Sequence, residues 1–85
     1  MNRDELRNAV LEELSGIAPD IDLASFDDNA NLQDEYDLDS MDTLNLAAAV
    51  HKRLGVNIPD QDYARMHCVA ELLDYLEKRL NHPQS

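Results

Sequence analysis

The chain has 85 residues and a mass of 9.6 kDa, room for one compact domain. Its 18 Asp and Glu against 7 Lys and Arg leave a formal charge of -11, which excludes nucleic acid as the main partner, because phosphate binding needs a basic footprint. Gly16 and Gly55 are its two glycines, too few for a P-loop or a dinucleotide fingerprint, and the longest apolar run, Leu46 to Val50, is far short of the roughly 20 residues of a membrane helix. Charges at Arg3, Asp4 and Glu5 stand where a signal peptide would have its apolar segment, and Cys68 has no partner for an internal disulfide. A soluble, cytoplasmic monomer of a reducing compartment is expected.

Leu6, Val10, Leu14 and Ile17 recur at spacings of four, four and three, which predicts an amphipathic helix over about residues 3–16. Asn2 is its expected N-cap, with Glu5 reaching back in a capping box, and Pro19 closes it. Residues 18–39 follow as a long crossover. Residues 20–42 hold eight Asp and one Glu with no Lys or Arg, a net of -9, so nearly all the excess charge lies on one stretch. Ile21, Leu23, Phe26, Leu32, Tyr36 and Leu38 are spaced to pin that crossover across the bundle rather than leave it loose.

A second helix is predicted from Ser40 to Leu54, with Leu46, Val50 and Leu54 stacked at i, i+4 and i+8 and with Leu44 and Ala47 widening the stripe. Lys52 and Arg53 suit its C-terminal dipole, and Gly55 is the expected residue after the last turn. Val56 to Asp60 reads as a connector into one short helical turn, Gln61 to Arg65, capped by Asp60. The last helix, about Val69 to Leu80, buries Val69, Leu72, Leu73, Leu76 and Leu80 and pairs Asp74 with Lys78 at i,i+4. The expected fold is all-α: a four-helix bundle of three main helices and one short one, with a long first crossover. It occupies residues 1–80, and residues 81–85 form a frayed tail.

Catalytic and metal constellations fare poorly. Asp27, Asn29 and Asn31 match the first ligands of an EF-hand loop, but Leu32 stands where Gly is needed and Leu38 where a bidentate Glu is needed. Loose divalent binding that relieves carboxylate repulsion is the better reading, with no specific metal site. Ser40 with His51 or His67 and an Asp lacks the cleft and oxyanion loop of a hydrolase. Cys68 beside His67 reads as a tolerated small residue rather than a reactive thiol.

The strongest local signal is Asp37-Leu38-Asp39-Ser40-Met41-Asp42, where the crossover meets the second helix. With Asp39 as N-cap, Ser40 becomes the first helical residue, its hydroxyl not needed for capping and projecting outward at the positive end of the helix. Carboxylates on both sides oppose a diffusible anion; a covalently attached phosphodiester, read by a cationic enzyme, fits better. An unmodified acidic adaptor or inhibitor that binds a basic protein surface is the alternative of a different class.

These segments together resemble an acyl carrier protein over essentially the whole chain. Asp39-Ser40-Met41-Asp42 resembles the family's attachment motif, Val56-x-Ile58-Pro59-Asp60 the approach to its short third helix, and Val69 through Leu76 its fourth. The resemblance implies that Ser40 receives a 4′-phosphopantetheine group from coenzyme A, added by a magnesium-dependent phosphopantetheinyl transferase. The arm's thiol would then carry acyl groups as thioesters, and the carrier itself would catalyse nothing. Partner recognition would fall on Glu35, Asp37, Asp39, Met41 and Asp42 near the arm, on Asn45, Ala48, His51 and Lys52 along the second helix, and on Asp60. An acyl pocket would be formed by Leu46, Val50, Tyr63, Met66, Val69 and Leu72. Acyl ligases, ketosynthases or acyltransferases with basic docking surfaces would be the partners.

Four departures from the family's common pattern bear on this expectation. Asp37 stands where Gly is usual two residues before the motif Asp, adding charge and stiffness. Asn45, Ala48, His51 and Lys52 replace a more acidic helix face, which favours a specialised lipid, fatty-acid or polyketide-type pathway over the housekeeping synthase; a peptidyl carrier is the nearer rival. His67-Cys68 stands where Thr-Thr is common, so the start of the last helix is expected to fray. Tyr36 and Tyr63 replace smaller residues near the base of the arm and would alter how an acyl chain is sheltered.

Overall fold

The computed structural model describes residues 2–81. Helix α1 spans Arg3–Ile17 and opens with the reciprocal box the sequence predicts. The Glu5 N–H donates to Asn2 Oδ1 at 2.9 Å and the Asn2 N–H to Glu5 Oε1 at 3.0 Å. The expected crossover is not a bare loop. It carries a 3₁₀ turn at Leu23–Ser25 and a short helix α2 at Leu32–Tyr36, each started by an Asx side chain. Asn31 Oδ1 accepts from the N–H groups of Gln33 and Asp34, and Asp27 Oδ1 from that of Asn29, so these EF-hand-like residues serve as local caps. Helix α3 spans Ser40–Leu54, a second 3₁₀ segment Asp60–Met66, and helix α4 Val69–Asn81. Among the described residues there is no strand, and no helix is long and apolar enough to cross a membrane.

Helix α1 is the hub: α3 and α4 both pack on it, and the second 3₁₀ segment packs on α4 and α3. Leu6, Leu14, Leu46, Val50, Leu72 and Leu76 are almost wholly buried where these faces meet. The crossover is pinned as expected: Phe26, Leu32 and Leu38 are buried, and Ile21, Leu23 and Tyr36 pack against the same core. Tyr36 stacks on Phe26 with centroids 4.7 Å apart, and its hydroxyl accepts the Asp27 N–H at 2.9 Å. Tyr36 thereby closes the crossover onto its own first half.

Several local expectations change. Asp60 is the first residue of its segment rather than its cap; Pro59 holds the cap position with no side-chain bond. Asp74 pairs with Arg3 of α1 at 2.8 Å instead of with Lys78, and Glu77 accepts from the same guanidinium. A planar fork that reaches two carboxylates on a neighbouring helix outcompetes a flexible i,i+4 lysine. Leu44 is 42% exposed, so it lies off the buried stripe. The α4 start is held from outside: the Ala70 N–H donates to the Asp28 carbonyl, and the His67 carbonyl accepts the Leu32 N–H. The Asp28 carbonyl thus takes the place of the Thr cap that Cys68 cannot supply, and the Leu32–His67 bond ties the crossover beside it. Asn81 is the last residue of α4; the rest of the expected tail lies outside the described residues.

Candidate functional site

Ser40 is the first residue of α3, behind the N-cap Asp39. The Asp42 N–H donates to Asp39 Oδ1 at 2.9 Å and the Asp39 N–H to Asp42 Oδ2 at 3.3 Å, a box closed by two carboxylates. The Ser40 hydroxyl takes no part in it, and the residue is exposed. A primary alcohol therefore stands at the positive end of a 15-residue helix, unburdened by a structural task.

The turn that delivers Ser40 is set by Asp37, at φ 58° and ψ 29° the only positive-φ residue besides Gly55 among those described. Its N–H, and that of Leu38, return to the Leu32 carbonyl, ending α2 so that Asp39 can start α3. The left-handed conformation is where a glycine would sit at no cost. Asp tolerates it better than most side chains but adds a charge.

Of the ten residues expected to meet partners, nine are exposed and Asp42 is half-buried. Among the described residues no ion pair reaches Glu35, Asp37, Asp39 or Asp42. Three arginines are committed elsewhere: Arg3 to Glu77 and Asp74, Arg7 to Asp28, and Arg53 to Glu13 and Glu12. Hydrogen bonds to these carboxylates raise the pKa of each guanidinium. The acidic rim around Ser40 is left uncompensated. Met41, 61% exposed, and Leu44 form an apolar pair at i,i+3 inside it. Leu44 was legible as apolar in the sequence, but its outward direction was not.

A groove of about 290 Å³ opens beside Ser40, lined by Leu32, Gln33, Ser40, Thr43, Tyr63, Ala64, Met66 and His67. Of the six expected pocket residues, Tyr63 and Met66 line it. Leu46, Val50, Val69 and Leu72 do not; they are sealed in the core at 0–1% exposure. Their helical periodicity marks burial, and burial between packed helices is not access to a cavity. Tyr63 also borders a smaller hollow with Ala48, His51 and Ile58, so it stands between two recesses along α3.

The chain matches the family model described as "Phosphopantetheine attachment site" over residues 4–76. It is 26% identical over 76 residues to the mitochondrial acyl carrier protein of Neurospora crassa, covering 89% of this chain and 57% of that one. It is 29% identical over 69 residues to the meromycolate extension acyl carrier protein of Mycobacterium tuberculosis, covering 81% and 56%. The acyl carrier protein of Rhodococcus erythropolis is 28% identical over 69 residues, covering 81% and 71%. The chain thus spans a little over half the length of the first two relatives.

Proposed function

This chain belongs to the phosphopantetheine-attachment family, whose members are carriers rather than catalysts, and on that premise we propose that Ser40 takes the 4′-phosphopantetheine arm and that the protein presents acyl groups to the enzymes of a specialised lipid pathway. One observation carries the assignment: an exposed serine at the first position of α3, excused from capping by Asp39 and Asp42, at the lip of a groove. The arm supplies a terminal thiol that holds an acyl group as a thioester; the chain's own residues do the rest. Leu32, Met66 and Tyr63 give the groove an apolar wall against which a chain can rest, and Gln33 and Thr43 give it polar contacts near the arm.

Docking falls on the surface around Ser40, because an arm enters a partner's site only if its root sits at the entrance. Glu35, Asp37, Asp39 and Asp42 would meet Lys or Arg of a phosphopantetheinyl transferase, acyl ligase, ketosynthase or acyltransferase, setting association rate and selectivity. Met41 and Leu44 would bury apolar area within that rim. Farther along α3, Asn45, Ala48, His51 and Lys52 present a neutral to basic face that disfavours enzymes built for an acidic helix. The name of the mycobacterial relative, a carrier for meromycolate extension, supports a specialised lipid pathway.

Incubation with coenzyme A and a promiscuous phosphopantetheinyl transferase, followed by intact-mass measurement, tests the site. The protein is expected to gain one phosphopantetheine mass, and Ser40→Ala, with unchanged helical circular dichroism, to gain none. Modification of the alanine variant would overturn the assignment, and a wild type that stays unmodified would favour an unmodified adaptor.

A further inference from the structure

His67, Cys68 and Glu71 bring an imidazole nitrogen, a thiol sulfur and a carboxylate oxygen within 4.8 Å of one another, where the second 3₁₀ segment meets α4. The hydrogen bonds around the imidazole decide how this cluster reads. His67 Nδ1 lies 2.9 Å from the Ala64 carbonyl oxygen, which can only accept, so Nδ1 carries the proton. In a neutral ring Nε2 then presents a lone pair, yet it faces Glu71 Oε2 at 2.9 Å, another acceptor. Two lone pairs at that distance repel unless a positive species lies between them: a second proton on the ring, or a metal ion.

The third group discriminates between the two. A proton shared by His67 and Glu71 makes no use of a thiol, whereas Cys68 is buried at 5% exposure, outside the contiguous core, with its sulfur within 4.8 Å of both other donor atoms. We infer that these three side chains form a binding site for a borderline-soft divalent cation of the zinc type. Imidazole, thiolate and carboxylate are the donors such an ion selects, and neither magnesium nor calcium favours thiolate and imidazole. One thiolate and one carboxylate balance its two charges, the Cys68 proton passing to solvent on binding. The Nδ1–H to the Ala64 carbonyl is the outer bond that orients a ligating histidine. Zinc at about 2.0–2.3 Å from each donor sets donors roughly 3.5 Å apart, so small side-chain rotations close the site. Half-exposed Glu71 and exposed His67 leave it a path from solvent. His67 is also a wall of the groove beside Ser40, so a bound ion fixes that wall.

The chelator-treated 85-residue chain is titrated with zinc chloride by calorimetry and with cobalt chloride by absorption spectroscopy, with magnesium chloride as the control for the acidic crossover. The expected wild-type result is one zinc per chain and, with cobalt, a sulfur-to-cobalt charge-transfer band with tetrahedral visible bands. His67→Gln and Glu71→Gln, both at the surface, are expected to weaken zinc binding tenfold or more. Cys68→Ala removes the charge-transfer band, while Ser40→Ala binds as the wild type does. A cobalt spectrum of octahedral, oxygen-ligated type in the wild type, or zinc affinity unchanged in His67→Gln, overturns the site.

Discussion

The carbonyl of Asp28 accepts the N–H of Ala70 at 2.9 Å, so a residue of the acidic crossover completes the first turn of α4. The same residue's carboxylate takes Arg7 Nε at 2.8 Å, while its Oδ1 is buried with no partner among the described residues. One aspartate thereby ties α1, the crossover and α4 together, and with them the frame that holds Ser40 and the groove.

Replacing Arg7 with Met leaves a half-buried carboxylate without its counter-ion. The expected loss is about 1–2 kcal/mol in chemical denaturation. In a double-mutant cycle with Asp28→Asn the coupling is expected at about 1 kcal/mol. Additive effects would mean that the pair contributes nothing beyond its separate contacts.

Asp37 combines a left-handed backbone with one of nine carboxylates on residues 20–42. Asp37→Asn keeps the conformation accessible and removes the charge, so it is expected to gain roughly 0.5 kcal/mol at low ionic strength, a gain that shrinks as salt screens the repulsion. Asp37→Val, which resists the left-handed region, is expected to lose about 1–2 kcal/mol at any salt. Thermal melts at two ionic strengths separate the backbone effect from the charge effect.

The Tyr75 phenol donates to Asp62 Oδ2 at 2.7 Å, and Arg79 and Arg65 lie over its ring. Burial, and then the bond to Asp62, raise its pKa above the ordinary 10.0. A raised acid in the folded state adds stability that is fully present below the unfolded value and is lost as pH climbs through the folded one. Tyr75→Phe is therefore expected to cost about 1–2 kcal/mol near neutrality. That deficit holds up to about pH 10 and narrows above it. Denaturant midpoints measured across that range check the sign.

Acids restored along α3, as in Asn45→Glu with Lys52→Glu, should extend the acidic rim down the exposed helix face. Exchange with ordinary fatty-acid synthase enzymes is expected to rise, and coupling to this protein's own partners to fall. A chain-elongation assay of wild type against the double variant decides it. Equal activity would move discrimination to the groove at Tyr63 and Met66.

The helices were legible because their instructions are local. Asn2 with Glu5, Asp39, and Gly55 mark ends through bonds to the backbone three or four residues away, and the 3.6-residue period of Leu6, Val10 and Leu14 or of Leu46 and Val50 names the buried face. Ser40 was legible for the same reason: its place just inside a cap is a matter of two neighbours. The groove, the partner of Asp74 and the outward turn of Leu44 were not, because each depends on how far one helix stands from another. Periodicity says that Val69 and Leu72 face inward but not whether a space is left beside them, and it cannot weigh Lys78 on the same helix against Arg3 on the neighbouring one. Those choices were made by tertiary packing, which sets distances between residues some seventy positions apart that no local rule connects.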